Sequence, residues 1–257
     1  MTAVVTAEWH KLRTVRSTYF VAVFVLVLAA LGIATVQMLT DAFLAGDAEG
    51  RRLYDPADLT IVVLPFAQLT IAVLGTLAVT SEFHTGTIRP TLQATPQRGR
   101  LFAGKALAIA AVATMVGAVA FTGMVLASWF IAGDKPEPIK PWPSLGDGLL
   151  VAGACTLGVT VAALVAYGLG TALRSTAATL VTVTGLLYVV PMISEFLPSH
   201  VQEWVISLVL PTLPRLLVGA PENVETPLSQ SGAAAALVAY LVVALGVGWF
   251  ALRKRDA

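Results

Sequence analysis

Charge is what this chain has least of. Asp, Glu, Lys and Arg make up only 12% of its 257 residues, about half of what a soluble domain carries. Residues 18–39, 59–80, 106–132, 148–172, 176–194 and 233–252 contain no Asp, Glu, Lys, Arg or His at all. A proton- or ion-coupled pump normally keeps such groups at membrane depth, although each costs about 2.5–3.5 kcal/mol to insert. Their absence removes the usual proton relay. Histidine is scarce too: His10, His84 and His200 all fall in flanks or loops, so an intramembrane serine protease would lack its base. The single cysteine, Cys155, sits inside an apolar run and is expected to be a packed thiol. That excludes an intrachain disulfide and a two-cysteine metal site. No segment repeats with a period of 20 to 50 residues, and there is no low-complexity tail. The chain reads as one domain over residues 1–257.

What it has is hydrophobicity: 57% apolar residues and a mean hydropathy of +0.82. Each charge-free run is about the length that crosses ~30 Å of hydrocarbon. The first is longer than the apolar core of a secretory leader, about 7 to 15 residues, and no clear small-x-small cleavage site follows it. The expected fold is an all-α membrane protein with six transmembrane helices.

The polar segments have their own character. Residues 1–17 are basic, through Lys11, Arg13 and Arg16, with Val5, Trp9 and Leu12 at helical spacing. That pattern predicts a helix lying in the membrane interface, with Trp9, Lys11 and Arg13 among the headgroups. Pro65 predicts a kink in the second span. Residues 133–147 form a proline-rich loop, flanked by Trp129 and Trp142 in the manner of interface anchors. In the fourth span Ala154, Gly158, Ala162, Ala166 and Gly170 recur every four positions. Such a row lets helices approach closely and, because it winds around the helix, implies more than one neighbour. Thr176, Thr179, Thr182 and Thr184 in the fifth span either line a cavity or bond back to their own helix, the commoner use. Phe66, Gln68, Thr179 and Thr182 are the candidates for a substrate pathway. Residues 195–232 carry five prolines around WVISLVL, which is too short to span. A short re-entrant or interface-buried helical pair is expected there.

Orientation follows from Lys and Arg. With both termini, the polar island 81–105 and the Arg174 turn on the cytoplasmic side, eleven of the 16 basic residues lie inside: Lys11, Arg13, Arg16, Arg89, Arg98, Arg100, Lys105, Arg174, Arg253, Lys254 and Arg255. Of the 15 acids only Glu8, Glu82 and Asp256 do. The positive-inside rule selects this arrangement. Within the island, Gly99–Ala106 (GRLFAGKA) imitates a phosphate loop, but Ala106 replaces the closing hydroxyl residue and no buried strand precedes it. The better reading is a small surface helix over residues 88–93, capped by Thr85 or Thr87, with Pro90 in its first turn and Pro96 ending it. Arg98, Arg100 and Lys105 are then expected to meet the headgroups.

An N-terminal basic helix, SEF-x-x-GTI-R after the second span, and Pro96, Arg98, Leu101, Gly104 and Lys105 leading into the third together resemble the type-2 ATP-binding-cassette transporter permeases. The likeness extends over essentially the whole chain in span count and order. It implies that the 81–105 loop forms a coupling helix docked on an ATPase subunit, through Glu82, Phe83, Gly86, Thr87, Ile88, Arg89 and Leu92. It implies two ATPase chains per complex, which hold the ATP and magnesium, so the permease binds no cofactor, has no nucleotide site and is not itself an enzyme. It further implies a second permease copy or a sister subunit, re-entrant helices over residues 196–218, a location in the plasma membrane, and export as the commoner direction. The acidic outer loops and hydroxyl-bearing spans suggest a drug-like, lipid-like or peptide cargo. Two other classes compete: a non-transporting membrane anchor or sensor that binds a cytoplasmic partner, and an ion-driven carrier. The anchor would bring down no ATPase on purification, and the carrier would survive ATP depletion but fail with the proton gradient.

Overall fold

The computed structural model describes residues 2–47, 49–87, 97–219 and 227–254. Among them every regular element is a helix. In order these are α1 (Thr2–Thr14), α2 (Arg16–Ala45), a 3-10 turn (Gly50–Leu53), α3 (Thr60–His84), α4 (Arg98–Ala132) and α5 (Leu145–Leu173). After them come α6 (Thr176–Ser194), α7 (Ser199–Leu208), α8 (Leu213–Leu217) and α9 (Gln230–Lys254). Six of them, α2, α3, α4, α5, α6 and α9, are long and apolar enough to cross a membrane. This is the pattern of a multi-pass membrane protein.

The helices outrun the apolar stretches that announce them. α2 continues to Ala45, and α4 already starts at Arg98. Hydropathy marks the hydrocarbon-length part, whereas the backbone hydrogen-bond ladder continues until a cap or turn stops it. α5 starts at a capping box: the Asp147 N–H donates to Ser144 Oγ at 3.2 Å, and the Ser144 N–H donates to the Asp147 carboxylate at 3.1 Å. It ends at Arg174, whose φ of 54° is left-handed, and Ser175 then caps α6. Two residues thus reverse the chain. Inside α6, residues Gly185–Val189 form a π-helical turn.

α5 is the hub. It packs on α3, α4, α8 and α9, and 72% of its most apolar window is buried, against 17% for α6 and 22% for α9. Backbones touch at these crossings. A Cβ on Gly75 of α3 would collide with the Ala163 carbonyl of α5, and one on Gly248 of α9 would lie 2.6 Å from the Gly168 carbonyl. The predicted four-residue row is buried throughout and meets several neighbours: Gly158 faces Pro214 and Gln68, and Gly170 faces Val79 and Thr80. Small residues at these crossings let the helices approach to van der Waals contact of their backbones. Cys155 is buried, as expected of a packed thiol.

Two connections pack back on the bundle. Trp142, expected at the interface, is instead buried against Gly148, because the proline-rich loop carries its own apolar residues, Ile139 included, onto the helix ends. The Ala57 N–H donates to the Ile139 carbonyl at 3.0 Å and fixes that docking. α7 and α8 are two short helices within the proline-rich segment. α8 is tied down through Arg215, whose Nη1 donates to Asp58 Oδ2 at 2.7 Å and to Thr60 Oγ1 at 2.8 Å. Gln68 Nε2 donates to the Leu210 carbonyl at 3.2 Å.

Candidate functional site

α1, α3 and α4 converge where the polar loop leaves α3. Gly104 makes the convergence possible, since a Cβ there would lie 2.8 Å from Val4 Cγ1 of α1. The next residue, Lys105, is rotated about 100° around the helix and reaches between the other two elements. Its ammonium donates to Glu8 Oε2 at 2.8 Å, Glu82 Oε1 at 2.7 Å and the Ala78 carbonyl at 3.2 Å. An ammonium has three protons, and all three are used. Lys11 completes the cluster, 2.9 Å from Glu8 Oε1 and 3.2 Å from Glu82 Oε1. Two acids face two bases, so burial is compensated by pairing.

The electrostatics of the α1 side follow from that balance. Burial pushes the Glu8 carboxyl up, but Lys105 and Lys11 outweigh it and hold the group below its ordinary 4.5. Burial acts to lower Lys11, yet its bonds to Glu8 and Glu82 hold it above its ordinary 10.5. Among the described residues, Glu82 Oε2 is buried without a hydrogen-bond partner. Beside it a cavity of about 450 Å³ opens between α1, α2 and α3, lined by Leu12, Thr18, Leu74 and Ala78 among others.

Phe83, the neighbour of Glu82, brings in a fourth junction. The Arg174 guanidinium of the α5–α6 turn stands 4.8 Å from its ring centroid, a cation–π contact. Beyond it Gly86 has φ 69°, with no described residue within 4 Å of where a Cβ would sit, and the Thr85 and Thr87 hydroxyls are 2.9 Å apart. The expected surface helix over 88–93, with Ile88, Arg89 and Leu92, lies outside the described residues.

Lys105 requires a correction. Expected among headgroups, it is only 4% exposed, because α4 begins two turns earlier than the apolar run and carries the lysine inward to two carboxylates. The imitation phosphate loop Gly99–Ala106 lies wholly within α4. Arg13 and Arg100 are exposed, and Trp9 and Arg98 half-buried. Arg98 Nη1 donates to the Leu252 carbonyl at 2.9 Å. The pathway candidates do not gather on one surface. Phe66 is half-exposed beside Tyr188, ring centroids 5.8 Å apart. Gln68, two residues on and so on the other side of α3, is fully buried. Thr179 and Thr182 bond back to the Ser175 and Ala178 carbonyls, and only Thr182 is exposed.

Sequence reasoning missed Glu8, Arg174 and Tyr167. The Tyr167 hydroxyl donates to the Phe102 carbonyl at 3.1 Å, just below the cluster. The signal for Glu8 was there: it lies four residues before Leu12, on the buried face of α1.

Residues 19–257 match the DUF2705 family, described as a protein of unknown function, and the chain belongs to that family. No curated protein matches it.

Proposed function

Proceeding from a DUF2705 chain with six membrane-length helices, we propose that it is the membrane-spanning subunit of an ATP-driven transporter, pushed by a separate ATPase at the loop that follows α3. The observation that carries this reading is the buried Glu8–Lys11–Glu82–Lys105 cluster. It sits at the root of that loop and ties α1, α3 and α4 into one rigid corner, while Phe83 adds the α5–α6 turn through Arg174. A force applied to the loop is therefore delivered to several helices at once. A lone loop on a frayed helix end would absorb it instead.

The charge pattern supports a cytoplasmic position for this corner. Contacts gather Lys11, Lys105, Arg98, Arg174 and Arg253 at one end of the bundle, and Asp58, Asp134 and Asp147 belong to the other. On the positive-inside rule both termini and the loop face the cytoplasm of a plasma membrane. The α7–α8 pair then lies at the outer face, as a re-entrant segment. Two such subunits, identical or sister chains, enclose the path between them, and two ATPase chains carry ATP and magnesium. Export of an amphipathic cargo, drug-like, lipid-like or peptide, fits the apolar and hydroxyl-bearing helices.

The experiment is purification from native membranes followed by coupling assays. An ATPase with intact phosphate-loop motifs is expected to accompany the chain. Thr87→Asp with Ile88→Asp is expected to leave insertion intact but uncouple ATP hydrolysis from transport. Transport at the unmutated rate in that variant would reject the mechanism. Recovery of a different cytoplasmic protein and no ATPase would favour an anchor or sensor.

A further inference from the structure

At the same end of the bundle α4 and α9 form a seam with a different chemistry. Along α4, Arg98, Phe102, Ala106 and Ala110 follow one another at four-residue spacing. Along α9, Leu245, Trp249 and Arg253 do the same. The two rows meet: the Phe102 and Trp249 ring centroids are 5.9 Å apart, and a Cβ on Gly99 would lie 3.3 Å from the Trp249 ring. Above the aromatic pair lies a groove of about 360 Å³, walled by Ala103, Ala106 and Ala110 of α4, Leu164 of α5 and Leu245 of α9. Every side chain lining it is apolar. At 1.5 Å per residue, Ala110 lies about 18 Å along the helix from Arg98, so the groove occupies hydrocarbon depth.

Below the aromatic pair the seam ends in cations. Arg98 is half-buried and donates through Nη1 to the Leu252 carbonyl at 2.9 Å and the Arg253 carbonyl at 3.4 Å. Among the described residues its Nε and Nη2 have no partner. A guanidinium has five N–H donors in a planar fork suited to phosphate. Arg253 and Lys254 stand beside it, both exposed. An apolar trough that opens at bilayer depth and terminates one turn away in an under-used arginine fork has the two halves of one kind of ligand.

We infer that the α4–α9 seam is a binding site for an anionic phospholipid, its acyl chain in the alanine-walled groove and its phosphate on Arg98 and Arg253. Charge complementarity selects an anionic headgroup, and the groove selects a lipid over free phosphate, which has nothing to place there. The inference does not rest on the transport reading.

The test is native mass spectrometry of the full chain released from detergent in the presence of equimolar phosphatidylglycerol and phosphatidylcholine with matched acyl chains. The unmutated protein is expected to retain phosphatidylglycerol at least about fivefold over phosphatidylcholine, the ratio one cation–headgroup contact near a membrane surface supports. Arg253→Gln is expected to abolish most of that preference. Arg100→Gln, which removes a charge about 200° around α4 from Arg98, is expected to leave it. Ala106→Leu fills the groove from its open side and is expected to reduce phosphatidylglycerol retention with the charges intact. Equal retention of the two lipids would overturn the site. So would equal effects of Arg100→Gln and Arg253→Gln, which would indicate diffuse surface charge, or full retention in Ala106→Leu.

Discussion

A lysine ammonium stripped of water needs an acceptor for each proton, and Lys105 has found three, two of them carboxylates from separate helices. Taking away that lysine leaves Glu8 and Glu82 sharing only the half-exposed Lys11. Breaking a buried pair on one side costs about 3–5 kcal/mol. Lys105→Met should therefore lower the unfolding midpoint in detergent, and adding Glu8→Gln and Glu82→Gln should recover part of the loss, because no charge is then stranded. An unchanged midpoint in Lys105→Met would show that the cluster does not hold the corner together. Acid offers a second probe. Glu8 has a folded-state pKa below its ordinary 4.5, so its contribution is present above 4.5 and is lost as pH falls through the folded value. The unfolding midpoint should decline below pH 4.5, less steeply in Glu8→Gln. Lys11, held above 10.5, works in the opposite sense: its contribution is present below that value and is lost as pH rises through the higher folded one. Of this site the sequence displayed Glu82 and the Gly104–Lys105 pair, since they belong to one compact motif. It hid Glu8, which is 97 positions from Lys105. A lysine near the start of an apolar run looks like a headgroup contact until the true helix start is known.

The six long helices were legible because bilayer crossing demands unbroken apolar length, and nothing else in a chain of this size produces six such runs. Their ends were not, since hydropathy is blind to where a backbone ladder stops. The π turn in α6 had no visible signature either. Helix contacts lay between these extremes. The small-residue row announced close approach but not which glycines bear it, and the geometry now separates them. Gly75 faces the Ala163 carbonyl without room for a Cβ, whereas a Cβ on Gly123, on the neighbouring α4, would have nothing within 4 Å among the described residues. Gly75→Ala must therefore push α3 off α5 and is expected to lower the unfolding midpoint or prevent folding. Gly123→Ala meets no obstacle and gains helix propensity, at most about 1 kcal/mol. Equal effects would mean the α3–α5 crossing is looser than its geometry. The α7–α8 pair makes a parallel case. Its prolines and short apolar core foretold broken helices, but its anchor, Arg215 on Asp58, joins residues 157 apart. Arg215→Met should leave the six long helices in place while amide exchange over residues 199–217 accelerates. Unaltered exchange would assign that docking to Gln68 and the apolar contacts.

For the molecule as a whole, the proposed ATP-driven mechanism depends on which side of the membrane the α1–α3–α4 corner faces. An ATPase works where ATP is, so a loop on the outer side has nothing to push it. The chain is convenient for deciding this, because its one native thiol, Cys155, is fully buried and silent to polar reagents. Thr87 is exposed at the root of the loop, and Leu53, 86% exposed, marks the opposite end beyond α2. With a membrane-impermeant maleimide on intact cells, Leu53→Cys should label at once and Thr87→Cys only after the membrane is opened. The contrast is internal, so poor expression of one variant cannot mimic it. Labelling of Thr87→Cys from outside, with Leu53→Cys protected, would place the ion cluster at the outer surface. The basic residues gathered with it would then violate the positive-inside rule, and force transmission from a cytoplasmic ATPase would have no route into the bundle. The lipid seam between α4 and α9 would survive that outcome, since its groove and its arginine fork bind the same ligand from either leaflet.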